Sequence, residues 1–386
     1  MSVLTSLSPP APAPAASLFE ALLADIRARR SEFEARQSVT PDVIEAFQAH
    51  GVYRAMVSKR FGGDAKSPAE FCRLIETISQ ADGSAGWVAS FGAAATYLAC
   101  LPLETLEAIY ADGPDVVFAG GLFPPQPAVR TKAGLLVSGR WKFGSGSPGA
   151  SLIGVGVVIQ DDDTGGLPRM AVMPADKVRI QENWNVIGMQ GTGSHDLIVE
   201  DVVVPEAWTF IRGGEPTLDE PLYRYPSMAL AAQVLAVVGL GVARAAIDEI
   251  SLVATAKTSI TGAPQMGQRP WVQIEIARQE ALLCSARAWF YEATQTLWAK
   301  VLTDAALTPR DVVPVRLASI HAAQVAAQVA QAIFRLAGTT SIYLEHPLSR
   351  HVRDAMVVAQ HAFLSEGHYQ GAGRILLGGE SLPGFP

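Results

Sequence analysis

The sequence is poor in the features that mark several function classes. It has no excess of positive charge: 30 Lys and Arg against 37 Asp and Glu leave a net charge of −7. That argues against nucleic acid, whose binders carry a basic face. Cysteine is scarce. Cys72, Cys100 and Cys284 are far apart, odd in number and form no CxxC pair, so buried thiols in a reducing, cytoplasmic setting are expected. The histidines show neither HxxxH nor HExxH spacing, and no metal site is expected. No apolar run of 18 residues is free of charge or turn residues, so no membrane span is expected. Residues 1–17, rich in Pro, Ala and Ser, lack a basic segment ahead of an apolar one. They read as a flexible tail and not as a signal peptide.

What is present is a core-forming composition. Of 386 residues, 49% are hydrophobic and 17% charged, enough for two or three packed domains. The chain changes character twice. Residues 18–115 read as helical. Thr40-Pro41-Asp42 and Ser67-Pro68-Ala69-Glu70 have the form of helix starts, with a capping hydroxyl, Pro at the first helical position and an acid in the first turn. An Ala-rich helix is expected from Trp87 to Cys100. Residues 116–210 carry short β-like runs separated by Gly, Pro and Asp clusters, which predicts a small barrel or sandwich. Residues 220–386 return to long helices near 227–257, 271–303, 310–336 and 347–365, which predicts an antiparallel four-helix bundle.

Within the β-like segment, Trp141-Lys142-Phe143-Gly144-Ser145-Gly146-Ser147 stands out. An aromatic pair on alternating positions runs into a hydroxyl-bearing, Gly-rich turn. Glycine lets a backbone approach another group closely. By contrast, Gly239-Leu240-Gly241 imitates the start of a dinucleotide-binding loop. It lies in a helical pattern without a preceding strand, so close helix packing is the better reading.

Three segments resemble the acyl-CoA dehydrogenase fold family, in the order the family shows them. They are the WKFGSGS stretch, Val186–Asp196 followed by Val202-Val203-Val204-Pro205, and Arg335–Ser341 with His346–Arg350 and Arg353-Asp354-Ala355. The resemblance implies helices, a β-domain and a helix bundle, with a flavin between the last two and a homotetramer as the usual assembly. Two branches share this fold. Dehydrogenases hold FAD and use a Glu base on a CoA thioester. Oxygenase components take reduced flavin (FMNH2 or FADH2) and O2, depend on a separate flavin reductase, and hydroxylate aromatic or heteroaromatic small molecules through a flavin C4a-hydroperoxide.

The residues favour the second branch. His361 adjoins Ala362, which stands nine residues after Arg353 where many dehydrogenases place the Glu, although Glu366-Gly367 imitates the dehydrogenase pair a few residues on. Trp141-x-Phe143-x-Ser145-Gly146 is similar to the oxygenase pattern. Thr258–Gly262 lacks the Arg-x-x-Phe-Gly that holds FAD pyrophosphate in dehydrogenases. One departure is Ala93-Ala94-Ala95, where phenol hydroxylases often carry a second His; it points towards an indole or another heteroaromatic ring. The resemblance implies catalytic roles for His361 and Ser145. Ser145 would bond the flavin near N5, and His361 would bond the peroxide or take a substrate proton. It implies cofactor contacts from Trp141, Phe143, Gly144, Ser145, Gly146, Thr192, Ser194 and Arg353, and substrate contacts from Trp87, Tyr97, Gln233 and His361. Helical spacing would put Arg350, Asp354 and His361 on one face. His195 is left open between surface and flavin edge.

Overall fold

The computed structural model describes residues 15–160, 167–256 and 264–381. Helices α1 (Ala15–Ala28), α2 (Arg30–Arg36), α3 (Pro41–Ala49), α4 (Pro68–Ala81), α5 (Gly83–Ala89), α6 (Ala95–Leu98) and α7 (Leu103–Ile109) form the first part. The expected tail is helical from Ala15 onward, and residues 1–14 lie outside the described ones. Ser67 and Glu70 form a reciprocal capping box on α4, which satisfies two otherwise orphaned backbone N–H groups. The buried Asp82 accepts from Ala85 N at 2.9 Å and starts α5. The helix expected from Trp87 therefore begins at Gly83, and a 3-10 turn over Ser90–Ala94 interrupts it.

The strands are β1 (Phe118–Thr131), β2 (Gly134–Gly144), β3 (Leu152–Ile159), β4 (Arg169–Pro174), β5 (Arg179–Gln181), β6 (His195–Val204) and β7 (Thr209–Ile211). They form one seven-stranded sheet in the order β5-β6-β2-β1-β3-β4-β7. The β1–β3 pair is parallel and the others are antiparallel. The runs expected at 116–119 and 128–131 are one long strand with an irregularity between Gly121 and Gln126. Gly156 falls opposite that irregularity, and Trp141 Nε1–H donates to its carbonyl at 2.8 Å. Trp141 is fully buried with Val137, Val155 and Leu197 in the core of the sheet.

The third part comprises α8 (Pro221–Arg224), α9 (Ser227–Ala256), α10 (Pro270–Val301), α11 (Pro309–Leu336), α12 (Pro347–Ala359) and α13 (Gly367–Leu376). Helices α9, α10, α11 and α12 pack on one another, and α4 packs on α9. Gly241 makes that last contact possible. A Cβ there would stand 2.6 Å from Glu76 O, so the Gly-Leu-Gly run serves helix packing. The expected helix over 347–365 stops at Ala359, and His361 lies beyond its end.

Two helices, Ser227–Thr255 and Pro309–Leu336, are long and apolar enough to cross a membrane. Their most apolar windows are 94% and 67% buried within the protein, as core helices of a bundle are. Of the cysteines, Cys72 is buried, Cys100 partly so, and Cys284 is exposed, which corrects the expectation of three buried thiols.

Candidate active site

Two turns meet at the end of β2. The first is Phe143–Ser147. Phe143 has φ +62° and Gly146 φ +75°, a left-handed backbone that is uncommon for an aromatic residue. The second is Met189–Ser194. Gly146 N donates to Thr192 O at 2.8 Å and joins the two.

A line of hydroxyls crosses this junction. Thr192 Oγ1 donates to Met189 O at 2.9 Å. Thr192 and Ser194 hydroxyls are 2.6 Å apart, as are those of Ser194 and Ser145. Each hydroxyl has one proton. With the Thr192 proton on Met189 O, Ser194 must donate to Thr192, and Ser145 must donate to Ser194. The remaining face of Ser145 Oγ is therefore an acceptor.

The second turn is held from behind. Asp354 Oδ1 accepts from Met189 N at 2.5 Å, and Ser84 Oγ accepts from Gly191 N at 3.1 Å. Burial, together with the nearby Asp82 carboxylate, raises the Asp354 pKa to about 7. Arg353 donates to Ser349 O, Ile187 O and Glu34. Arg353 thus ties α12 to the second turn and to α2 through these three acceptors. The structure corrects one expectation. Asp354 orients Met189 and does not share a helix face with His361.

The helix carrying Trp87 borders the first turn. A Cβ at Gly146 would stand 3.6 Å from the Phe91 ring and 3.7 Å from Val88. Trp87 meets His361 edge-on at 5.5 Å between ring centres, and Phe363 meets His361 at 5.3 Å. His361 Nδ1 accepts from Phe363 N at 3.2 Å. That bond places the ring proton on Nε2. Burial lowers the His361 pKa to about 4, so the imidazole is neutral at neutral pH and presents Nε2–H as a donor.

Other expected residues fall elsewhere. Trp141 belongs to the sheet core, because its indole fills the interior of the strands. Gln233 is 0% exposed. It accepts from Tyr225 OH and donates to Thr294 Oγ1, which ties it into the core of the bundle. Tyr97 lies against Arg212. Thr258–Gly262 lies outside the described residues.

Phe143 is 64% exposed, and its ring faces Trp184 at 6.1 Å. Trp184 was not expected here, nor was the role of His195. Buried His195 accepts on Nδ1 from Asn183 N and Trp184 N, and burial lowers its pKa. It therefore fixes the segment carrying Trp184. The only hint in the sequence was its place beside the Gly-rich turn.

These features fit a flavin. The candidate cradle is a Gly turn that passes close to a helix, with an acceptor hydroxyl and, on its rim, the exposed Phe143 ring beside a half-buried Trp184. Nothing comparable surrounds Glu366, which is exposed at the start of α13.

Residues 233–366 match the family model of the acyl-CoA dehydrogenase C-terminal domain. Indole-3-acetate monooxygenase of Pseudomonas putida is 55% identical over 381 residues, covering 97% of this chain and 98% of the relative. The oxygenase component of an FADH(2)-dependent resorcinol hydroxylase from Rhizobium sp. is 27% identical, covering 86% of each chain. In fold, the chain is similar to the crystal structure of a 3-HSA hydroxylase from Rhodococcus sp. RHA1, with TM-score 0.88, 23% identity, and 95% and 97% of the two chains covered. These relatives do not favour the dehydrogenase alternative. On its fold, its site and these relatives, the chain belongs to the flavin-dependent monooxygenases built on the acyl-CoA dehydrogenase fold, as the oxygenase component of a two-component system.

Proposed function

We propose that this enzyme oxygenates a small indole-type aromatic, with indole-3-acetate as the leading substrate, using His361 and Ser145 as its principal polar groups. The observation that carries the reading is the pairing of an acceptor hydroxyl at Ser145 with a neutral donor at His361 in an aromatic corner. The 55% identity to an indole-3-acetate monooxygenase supports the substrate. Reduced flavin, delivered by a separate reductase, supplies the activation of O2.

The chain's own residues hold and shield. Ser145, oriented by Ser194 and Thr192, accepts a hydrogen bond of the kind a reduced flavin offers at its N5–H. Gly144 and Gly146 allow the close approach, and Phe143 and Trp184 cover the rim. His361 donates through Nε2–H to an oxygen on the substrate side. A general-base role is disfavoured, because Nδ1 is occupied and Nε2 is protonated. Trp87 and Phe363 pack edge-on against its ring and lower the local polarity, which strengthens the donor.

The same reading includes a cytoplasmic homotetramer. Ile342, Tyr343 and Leu344 form an exposed apolar run, the kind of patch that marks an interface. The test is product analysis with reductase, NAD(P)H, O2 and either FMN or FAD. Oxygenated indole-3-acetate supports the reading, and hydrogen peroxide alone with every indole tried opposes it.

A further inference from the structure

Arg212 follows β7 and is only 5% exposed. Its guanidinium carbon lies 3.3 Å from the centre of the Tyr97 ring. Nη1 reaches Ser227 Oγ at 3.5 Å, and the backbone N donates to Pro168 O. Among the described residues, no carboxylate lies within ion-pair distance of it. Arg350 is equally buried, and it is paired with Glu34 at 2.8 Å. A guanidinium taken out of water needs a partner anion, and a ring face with a hydroxyl makes up for only part of one. Burial accordingly lowers the Arg212 pKa, opposed by Tyr97 and Cys100 and by no carboxylate.

The surroundings point to a ligand. A cleft of about 320 Å³ opens next to the pair; its wall includes Thr96 and Gly213, their chain neighbours, and Ser227, the partner of Arg212, along with the acids Glu215 and Asp304. Tyr97 follows Trp87 by ten residues, across α5, the 3-10 turn over Ser90–Ala94 and α6. We propose that Arg212 receives the carboxylate of a small aromatic acid substrate, with Tyr97 stacked on the guanidinium and the substrate ring directed towards Trp87 and His361. This rests on the monooxygenase reading and adds the acid group to it. Planar guanidinium matches carboxylate through two parallel hydrogen bonds, which ammonium does not offer.

The experiment compares indole-3-acetate with its neutral amide, indole-3-acetamide, in wild-type enzyme, Arg212→Met and Arg212→Lys. Binding is measured anaerobically with reduced flavin present, and melting temperature is followed with and without each compound. In the wild type, the acid binds more tightly than the amide and raises the melting temperature. In Arg212→Met, acid affinity falls about 50-fold, amide affinity changes less than threefold, and the acid no longer raises the melting temperature. Removing an unpaired buried charge leaves Arg212→Met melting at or above wild type. Arg212→Lys recovers part of the acid affinity. If acid and amide bind wild type equally, or lose affinity equally in the variants, Arg212 is not the carboxylate receptor. Oxygenation of neutral indoles in that case would leave the monooxygenase reading standing. Failure to bind reduced flavin or to oxygenate any indole would defeat that reading instead.

Discussion

The Ser145 hydroxyl lies 2.6 Å from that of Ser194, and Ser145 is the donor in that bond because the Thr192 proton is fixed on Met189 O. The order of donors along three side chains thus sets the polarity of the Ser145 hydroxyl, which the proposed reading places against the flavin. A reduced flavin has N–H at N5 and an oxidised one a bare lone pair, so an acceptor at Ser145 favours the reduced form. Ser194→Ala frees Ser145 to turn and donate. We expect the preference for reduced over oxidised flavin to fall about 5- to 10-fold, the value of one net hydrogen bond. Anaerobic titration against both redox forms measures it. An unchanged ratio would show that the hydroxyl line does not set the polarity.

His361→Ala removes the donor, and a loss of product per flavin reoxidised of about 100-fold is expected, typical for one such donor, with hydrogen peroxide appearing in its place. The pH dependence carries a second check. A histidine whose pKa lies at about 4 instead of near 6.5 stays neutral from about pH 5.5 upward. Coupling of flavin oxidation to product should have no acid limb near pH 6.5 that disappears in His361→Gln. Finding such a limb would mean that His361 titrates normally in the working enzyme.

Asp354 gives a stability test with a definite sign. Its folded pKa of about 7 lies above the ordinary 3.8. Between those values the folded protein binds more protons at this site than the unfolded chain, so stability falls as pH rises from about 4 to about 7. Asp354→Asn keeps an oxygen for Met189 N and does not titrate. Urea melts of the variant should show a shallower decline across that window and equal or greater stability at pH 8. Some slope remains, because the pKa of buried Asp82 is raised in the same direction.

Much of the fold could be read in the sequence, because caps, helix periodicity and Gly clusters are local signals. Ser67 and Glu70 announced α4, and the change to short alternating runs announced the sheet. The turn at Ser145 and the residue His361 were singled out through motif resemblance. Three things were not legible. Trp141 alternates like a cofactor contact, yet the gap opposite Gly156 draws its indole into the sheet core, and strand spacing carries no information on which face is inside. Gln233 finds its partners Tyr225 and Thr294 only after distant segments pack. The helix expected to carry His361 ends two residues before it, which lets Nδ1 accept from Phe363 N.

Trp141 offers a check on that correction. Trp141→Phe removes the donor to Gly156 O and some packing, and should destabilise the protein by about 2 kcal/mol. Reduced-flavin affinity of the folded variant should stay within about twofold of wild type. A selective loss of flavin affinity, with the melting temperature unchanged, would return Trp141 to the cofactor site.

The most direct measurement is a reaction under 18O2 with reductase, flavin, NAD(P)H and indole-3-acetate, followed by mass analysis of the product. The account predicts one 18O atom in the product, release of the other as water, and retention of this outcome in Glu366→Gln. No 18O in any organic product, together with a tightly bound oxidised FAD that an acyl-CoA bleaches through Glu366, would contradict it.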